Sequence, residues 1–302
     1  MCKISVIIPV YNSREFISKC MDSIMCQTFS DFEVICVDDG SIDESYTILS
    51  GYSQRYKNIQ VVRQQNMGQG VARNKGVALA RGKYVKFVDA DDFLHPDALR
   101  ILYDTAERTK ADIIVGKAFC VNETGDMESP LKMWNSLVGN YSKNEFSSLD
   151  FFNNACSPVL WDKLIKTEIT KTYLSPSLKR GQDFVTLIKY ISLCDNIYFI
   201  EDRLYYYRHH GSSIMATPES RETIMLDFIT EQMAIKVMRD CFQNTKAYSF
   251  YCIRILREWT DRIKINKQLL KDCDIASIVF FLAGITGDFG DGNGIPMEVS
   301  LQ

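Results

Sequence analysis

Carboxylates cluster at two places in the first third of the sequence. The first pair is Asp38 and Asp39, and the second group is Asp89, Asp91 and Asp92. Grouped carboxylates repel one another unless a cation or hydrogen-bond donors neutralise them. An oxygen-only ligand set, without histidine or cysteine, favours Mn²⁺ or Mg²⁺ over zinc and leaves positions open for phosphate oxygens. We therefore predict a Mn²⁺ or Mg²⁺ site at Asp91 and Asp89, with the common turn role of aspartate as the alternative.

Tyr11 and Asp39 have the chemistry to recognise a nucleobase. An aromatic ring stacks on a base, and a carboxylate accepts the imide N–H of uracil or the N–H groups of guanine. The alternatives are an ordinary loop tyrosine and an acid that caps a helix.

A glycine-rich turn at residues 66–74 precedes a helical pattern. Backbone N–H groups at such a helix start, together with Arg73, suit a pyrophosphate. Gly68-x-Gly70 is also part of a dinucleotide-binding motif, but Arg73 stands where its third glycine would be, and the segment follows the third predicted strand instead of the first. This pattern argues against a dehydrogenase.

Short β-branched runs alternate with longer helical patterns along the first part of the chain. The ends of these runs set the positions of the candidate site residues. The predicted strands are residues 4–8, 32–37, 59–62, 84–88 and 113–115. Several are apolar along their whole length, which indicates burial on both faces of a parallel sheet. In an open doubly wound sheet, ligands bind beyond the carboxyl ends of the strands. The polar residues that follow the first, second and fourth strands should therefore meet at one edge.

The 302-residue chain is longer than one compact domain usually is. We predict an α/β ligand-binding domain at 1–116, an acceptor-binding and catalytic region at 117–217, and a helical region with a glycine-rich tail at 218–302. The formal net charge of -3 and the lack of a long Lys/Arg block argue against nucleic acid as a partner. No charged-then-apolar leader opens the sequence, and we expect a cytoplasmic protein.

Several ordered segments together resemble the family-2 inverting glycosyltransferases, which have the A-type glycosyltransferase fold. They are Ser5 to Asn12, Val37 to Asp43, Asn66-x-Gly68 with Ala72-Arg73-Asn74-x-Gly76, and Gly82-x-Tyr84 leading to Asp89 to Asp92. The resemblance implies an α/β fold with an open doubly wound, mainly parallel sheet and a C-terminal helical extension. It also implies transfer of a sugar from a nucleotide-diphosphate donor, chiefly a UDP-sugar, to a hydroxyl acceptor.

The resemblance assigns roles residue by residue. It implies base contacts for Tyr11 and Asp39, a place near the nucleotide for Arg73, ribose contact for Asp89, and metal coordination for Asp91. The remaining nucleotide-sugar-binding positions that we predict are Pro9, Asn12, Asp38, Asn66, Gly68, Asp92 and Arg208.

Asp183 is the predicted catalytic base. The family typically shows Glu-Asp where this chain has Gln182-Asp183. Inversion needs one in-line displacement, in which a carboxylate deprotonates the acceptor hydroxyl while the metal neutralises the departing diphosphate. The alternative for Asp183 is a helix N-cap, because a helical pattern follows it.

Two further functions fit part of the pattern. A sugar-nucleotide nucleotidyltransferase also places acids on a parallel sheet, but it carries a glycine-rich, basic loop after its first strand, where this chain has Tyr11 and Asn12. A non-catalytic nucleotide-sugar-binding protein is suggested by Gln182. Arg208 and Arg73 are candidates for added positive charge on the diphosphate.

The predicted acceptor is a saccharide or a lipid-linked saccharide of surface polysaccharide or glycolipid synthesis. The helices of region 218–302 could pack on the core, form a homodimer, or rest on a membrane. The third case would place the protein at the inner face of the cytoplasmic membrane. Core packing is the interpretation we favour.

Overall fold

The computed structural model describes residues 2–130, 137–148, 157–211, 218–243 and 245–287. Strands and helices alternate through the first part of the chain. They are β1 (Ile4–Val10), α1 (Ile17–Met25), β2 (Phe32–Asp38), α2 (Ser45–Arg55), β3 (Ile59–Arg63), α3 (Gln69–Leu79), β4 (Tyr84–Phe87), β5 (Phe93–Leu94), α4 (Ala98–Thr109) and β6 (Ile113–Val121). The five strands predicted from the sequence are confirmed, but the last of them, β6, continues from the predicted end at 115 to Val121.

Short elements follow, and long helices close the described chain. They are β7 (Met127–Pro130), β8 (Gly139–Ser142), α5 (Lys143–Ser148), β9 (Lys163–Lys166), α6 (Thr167–Thr172), α7 (Gln182–Leu193), β10 (Asn196–Arg208), α8 (Arg221–Phe242), α9 (Lys246–Asn266) and α10 (Asp272–Gly287).

The strand order places the carboxyl ends of β1, β2 and β4 side by side. The sheet runs β3-β2-β1-β4-β9-β6-β10-β5, with β7 paired to β6 and β8 paired to β10. The pairs β1–β2, β1–β4, β2–β3 and β6–β10 are parallel, whereas the short strands β5, β7, β8 and β9 pair antiparallel. This open, mainly parallel sheet with a helical C-terminal extension confirms the predicted fold class.

β1 lies inside the sheet, and all of its residues are buried. Its side chains alternate between two cores, with Ile7 in one and Val6 in the other. Pro9 pairs with Val37 of β2, beyond the last β4 pair. A proline is tolerated at this point because the ladder with β4 has already ended.

The C-terminal helices share a core with the sheet. One buried cluster contains Phe228 of α8, Trp259 of α9 and Ile278 of α10 together with Ile188 of α7 and Ile7 of β1. Core packing is therefore their observed arrangement. Among the described helices, none is long and apolar enough to cross a membrane.

The predicted domain boundaries stay predictions. The boundary after residue 116 lies within β6, which continues to Val121. The boundary after residue 217 and the glycine-rich tail from residue 288 lie outside the described residues.

Candidate active site

Arg73 joins the predicted nucleotide site to the predicted base. Helix α3 places this arginine inside the protein, and its side chain is 1% exposed. Its Nη2 donates to Asp89 Oδ1 at 2.8 Å, and its Nη1 donates to Asp183 Oδ1. Asp89 follows β4, whereas Asp183 belongs to α7. One guanidinium therefore holds two carboxylates that are far apart in the sequence.

Asp89 lies among other charged groups. Burial raises its pKa to about 6; Arg73 opposes the rise, and the charges of Asp183 and Asp91 add to it. Gln69 Nε2 donates to the same Oδ1 atom at 3.0 Å. A divalent cation beside these carboxylates would relieve their repulsion.

Asp183 lies in the first turn of α7 and does not cap it. The N-cap is Gly181, which has a left-handed φ of 67°, and the cap makes no side-chain hydrogen bond. The N-cap alternative for Asp183 is therefore wrong. Its carboxylate is 18% exposed and points to Arg73. An anion in a first helical turn is stabilised by the helix dipole.

Asp91 pairs with a histidine that follows β10. His210 Nε2 lies 2.8 Å from Asp91 Oδ2, and the imidazole is buried beside Phe16, with 4.6 Å between ring centroids. The hydrogen bond to Asp91 raises the pKa of His210. An imidazole therefore lies against the predicted metal ligand Asp91, where the sequence pattern indicated only oxygen atoms. The ligand set itself stays a prediction.

Asp92 connects the loop after β4 to the end of β10 by hydrogen bonds. It accepts hydrogen bonds from Tyr205 Oη at 2.7 Å and from the backbone N–H of Arg208 at 2.8 Å. Burial raises the pKa of Asp92 well above its usual range. The Tyr205 hydroxyl also accepts a hydrogen bond from the backbone N–H of Asp89 at 3.1 Å. The structure gives Asp92 a bracing position behind Asp89 and Asp91.

Arg208 points toward backbone carbonyls of neighbouring loops. Its Nε donates to the Asp91 carbonyl at 2.8 Å, and its Nη1 donates to the Glu123 carbonyl at 2.6 Å. Its Nη2 is buried and has no hydrogen-bond partner among the described residues. The guanidinium lies 5.0 Å from the ring centroid of Phe16.

Asp39 closes the turn before α3. Its carboxylate accepts from Gln64 Nε2 at 2.8 Å, from Met67 N at 2.9 Å and from Gly68 N at 2.8 Å. A carboxylate has about four acceptor positions, so one remains for a nucleobase. Two N–H groups of the glycine-rich turn, those of Met67 and Gly68, are therefore directed at Asp39. Tyr11 is 48% exposed, which leaves its ring accessible for stacking.

Other predicted binding residues shape the surrounding loops. Asn12 has φ of 50° and its Oδ1 accepts from Ile42 N at 2.9 Å. Asp38 is buried, with Oδ2 3.0 Å from Arg63 Nε. Asn66 is exposed at the turn before α3. The side chains of Asn12 and Asp38 hold the loops at the sheet edge.

Gly40 is required by the close approach of the Asn66 backbone to the end of β2. It has φ of 78°, and a Cβ atom there would lie 2.9 Å from Asn66 N. A larger residue at this position would push the turn away from Asp39.

The donor atoms at Asp91 suit a metal that needs few protein ligands. Asp91 and His210 supply one carboxylate and one imidazole within hydrogen-bond distance of each other. Mn²⁺ accepts both ligand types, whereas Mg²⁺ prefers oxygen alone. Asp91 is a third exposed, so water or phosphate oxygens can reach it.

The two neighbouring histidines face different groups. His209 lies 3.4 Å from Cys120 Sγ, and these two residues together with Glu128 form a group whose potential ligand atoms lie within 4.8 Å of one another. Exposed acidic groups often lie close together without a metal. We therefore assign no metal to this group and do not include it in the site at Asp91. Only His210 belongs to the site.

Comparison with known proteins identifies the family of this chain. Residues 5–159 match the family described as Glycosyl transferase family 2. Glycosyltransferase GlyG of Streptococcus pneumoniae is 30% identical over 233 residues, which are 71% of this chain and 73% of that protein. Poly(ribitol-phosphate) beta-glucosyltransferase of Bacillus spizizenii is 41% identical over 137 residues, 44% of this chain but only 22% of that protein.

Solved structures agree with the fold. S. aureus TarS 1-349 in complex with UDP-GlcNAc has a TM-score of 0.72 at 21% identity and covers 95% of this chain and 80% of that chain. The family match over half of the chain, the GlyG relative and the shared fold lead to one conclusion: this chain belongs to glycosyl transferase family 2 and is a glycosyltransferase.

Proposed function

We propose that this glycosyltransferase moves a sugar from a nucleotide-diphosphate donor, a UDP-sugar, to a hydroxyl acceptor, with inversion and with the help of a divalent metal. The observation that carries the proposal is the Arg73 bridge between Asp89 and Asp183. It puts an acid that can bind the donor and an acid that can serve as base on one guanidinium. Because both acids contact the same guanidinium, a donor at Asp89 and an acceptor at Asp183 would lie next to each other. In-line displacement needs the two substrates to be neighbours.

The donor would lie along the strand ends. Tyr11 would stack on the base, and the fourth acceptor position of Asp39 would take the imide N–H of uracil. Arg208, whose Nε donates to the Asp91 carbonyl, would add positive charge near the diphosphate. The solved TarS structures in complex with UDP and with UDP-GlcNAc support this choice of donor for a chain of the same fold.

Asp91 and His210 would hold the metal, with Asp89 beside it. When bound, Mn²⁺ or Mg²⁺ would neutralise negative charge on the leaving diphosphate. The imidazole favours Mn²⁺ of the two. For this ligation His210 must be neutral and must turn the Nε2 lone pair from Asp91 to the ion.

Asp183 would take the proton of the acceptor hydroxyl. Arg73 holds one of its oxygens, and the carboxylate has further lone pairs for the hydroxyl. Its position in the first turn of α7 and its partial exposure leave it accessible from solvent. A positioned base of this kind contributes about 10² to 10⁴ in rate.

Calorimetry with UDP tests the donor site. We expect UDP to bind in the presence of Mn²⁺ and to bind much more weakly with a chelator, because diphosphate and the acids repel each other without a cation. Equal affinity in both conditions would remove the metal from the proposal, and tighter binding of GDP would change the donor class.

Turnover assays address the rival functions. Hydrolysis or transfer of a UDP-sugar distinguishes an enzyme from a binding protein, and formation of a UDP-sugar from UTP would indicate a nucleotidyltransferase.

The corner between α9 and α10 fits a membrane contact near a lipid-linked saccharide acceptor. Ile265 and Leu269 are 74% and 37% exposed there. Lys264, Lys267 and Lys271, which neighbour them in the sequence, are also exposed. Apolar side chains among lysines match the surface of an anionic bilayer, where each lysine contributes about 1 kcal/mol. We propose peripheral binding at the inner face of the cytoplasmic membrane through this corner.

Sedimentation with vesicles tests the contact. We expect binding to vesicles that contain phosphatidylglycerol, loss of binding in high salt or on Ile265→Asp, and little binding to phosphatidylcholine alone. Equal binding to both vesicle types would refute the charge argument. If Ile265→Asp instead converts a dimer to a monomer in sedimentation velocity, the corner is a homodimer contact.

A further inference from the structure

A chain of side-chain hydrogen bonds connects the starts of α3 and α7. Gln182 Nε2 donates to Gln69 Oε1 at 2.9 Å, and Gln69 Nε2 donates to Asp89 Oδ1 at 3.0 Å. Gln182 is the first residue of α7, and Gln69 is the first residue of α3. The two amides therefore lie end to end and terminate on a carboxylate of the site.

Neighbouring contacts hold the two helix starts at this distance. Asn74 of α3 forms two hydrogen bonds with the backbone of Ser175, at 2.8 Å and 2.7 Å. A Cβ atom on Gly70 would lie 2.8 Å from the Pro176 carbonyl oxygen, so α3 packs tightly on the segment before α7. Gln182 is buried. The amide pair is built into a rigid contact and is not a chance surface encounter.

The chemistry of Asp89 fixes the direction of this chain. An ionised carboxylate only accepts hydrogen bonds, so Gln69 must turn its NH₂ group to Asp89 and its carbonyl oxygen to residue 182. Residue 182 must then be a donor. Glutamine is a donor, whereas an ionised glutamate is not.

A glutamate at position 182 would also change the charge of the site. It would add a carboxylate next to Asp183 and near Asp89, where Arg73 is the shared cation. Either Gln69 would turn round and place its oxygen against Asp89, or two acceptor oxygens would face each other without a proton between them. Both arrangements are unfavourable in a buried position.

We propose that Gln182 and Gln69 form a matched positioning pair that holds Asp89 for the donor, and that the pair requires a hydrogen-bond donor at position 182. The pair reaches the site through the hydrogen bond from Gln69 to Asp89, and its role is positioning. The inference rests on the proposed function, because it takes Asp89 as a donor-binding acid.

The test measures UDP affinity by calorimetry with Mn²⁺, together with kcat and donor KM once turnover is established. We expect Gln182→Glu to weaken UDP binding and raise donor KM about tenfold, with kcat within about threefold, since loss of a hydrogen bond next to a charged group costs on that scale. The double change Gln69→Lys with Gln182→Glu should recover most of the affinity, because a lysine donates to both carboxylates. Gln54→Glu, an exposed site on α2, is the control and should behave as wild type.

A second variant covers the case in which Gln182→Glu does not fold. Gln69→Leu keeps position 182 and removes the bond to Asp89, so it should weaken UDP binding in the same direction. Wild-type affinity in Gln182→Glu, or in Gln69→Leu, would overturn the pair while the proposed function stands. If the wild-type protein binds no UDP with Mn²⁺, the proposed function fails and the pair is rejected with it.

Discussion

Replacing Arg73 by methionine tests whether one buried guanidinium balances two acids. Methionine has a similar length and is apolar, so packing against Phe87, whose ring centroid lies 6.0 Å from the guanidinium, should survive. The change leaves Asp89 and Asp183 facing each other without their shared cation. We expect lower stability together with loss of turnover.

The magnitude follows from burial. Removing one partner of a buried ion pair costs about 3–5 kcal/mol. Here the two carboxylates are 19% and 18% exposed, so water solvates them in part and the lower end, about 3 kcal/mol, is expected. For a chain of this size each kcal/mol lowers Tm by about 2 °C, which gives a loss of about 6 °C. Adding Asp183→Asn to Arg73→Met removes one uncompensated charge. The double variant should therefore have a free energy of unfolding at least about 1 kcal/mol higher than Arg73→Met alone.

Urea denaturation and thermal melting measure these differences. Arg14→Met is the matched control, because its ion pair with Glu44 is exposed on both sides and such pairs contribute little. The reasoning fails if Arg73→Met melts within about 1 °C of wild type, or if the double variant is simply the sum of the two single variants.

Further substitutions examine the base, the metal site and a buried lysine. Asp183→Asn should lower kcat by about 10² to 10⁴ while UDP affinity stays within about twofold, because the base faces the acceptor; normal turnover would reject this base. Asp91→Asn should abolish the Mn²⁺ dependence of UDP binding, and His210→Ala should reduce it, both at unchanged Tm. A large fall in Tm for Asp91→Asn would indicate that Asp91 is a structural turn residue. Burial lowers the pKa of Lys86 to about 7, so the folded state binds fewer protons there than the unfolded state above that pH. Wild-type stability should therefore rise by about 2 kcal/mol between pH 7 and 9 relative to Lys86→Met in urea denaturation, and parallel pH curves would contradict the shift.

The fold and the edge of the sheet that carries the site were predictable from local patterns. Apolar runs such as that ending at Pro9 are long enough to identify buried parallel strands, and strand ends in such sheets share an edge. Asp89 and Asp91 therefore lie where the sequence indicates. This part of the prediction needs only hydrophobic periodicity and chain order.

The partners of the site residues were not predictable in the same way. Arg73 was assigned to the nucleotide, yet it bonds to Asp89 and Asp183, the second of which is 110 residues away. His210 meets Asp91 across 119 residues, and Gln69 carried no signal at all. Such contacts depend on how β10 and α7 pack against α3, and side-chain spacing along the chain contains no information on that packing.

The hydrogen bonds between β10 and the loop after β4 have a consequence for when the proposed site forms during synthesis of the chain. Tyr205 and Asp92, which brace this loop, are separated by 113 residues. At 5–20 residues per second a ribosome needs on the order of ten seconds to add that stretch. At the start of this interval β1 to β4 have been synthesised, whereas the proposed base Asp183 is added only toward its end and Tyr205 last. Contacts of such long sequence separation also form slowly. The proposed site is therefore complete only after β10 has been made and has paired with the rest of the sheet.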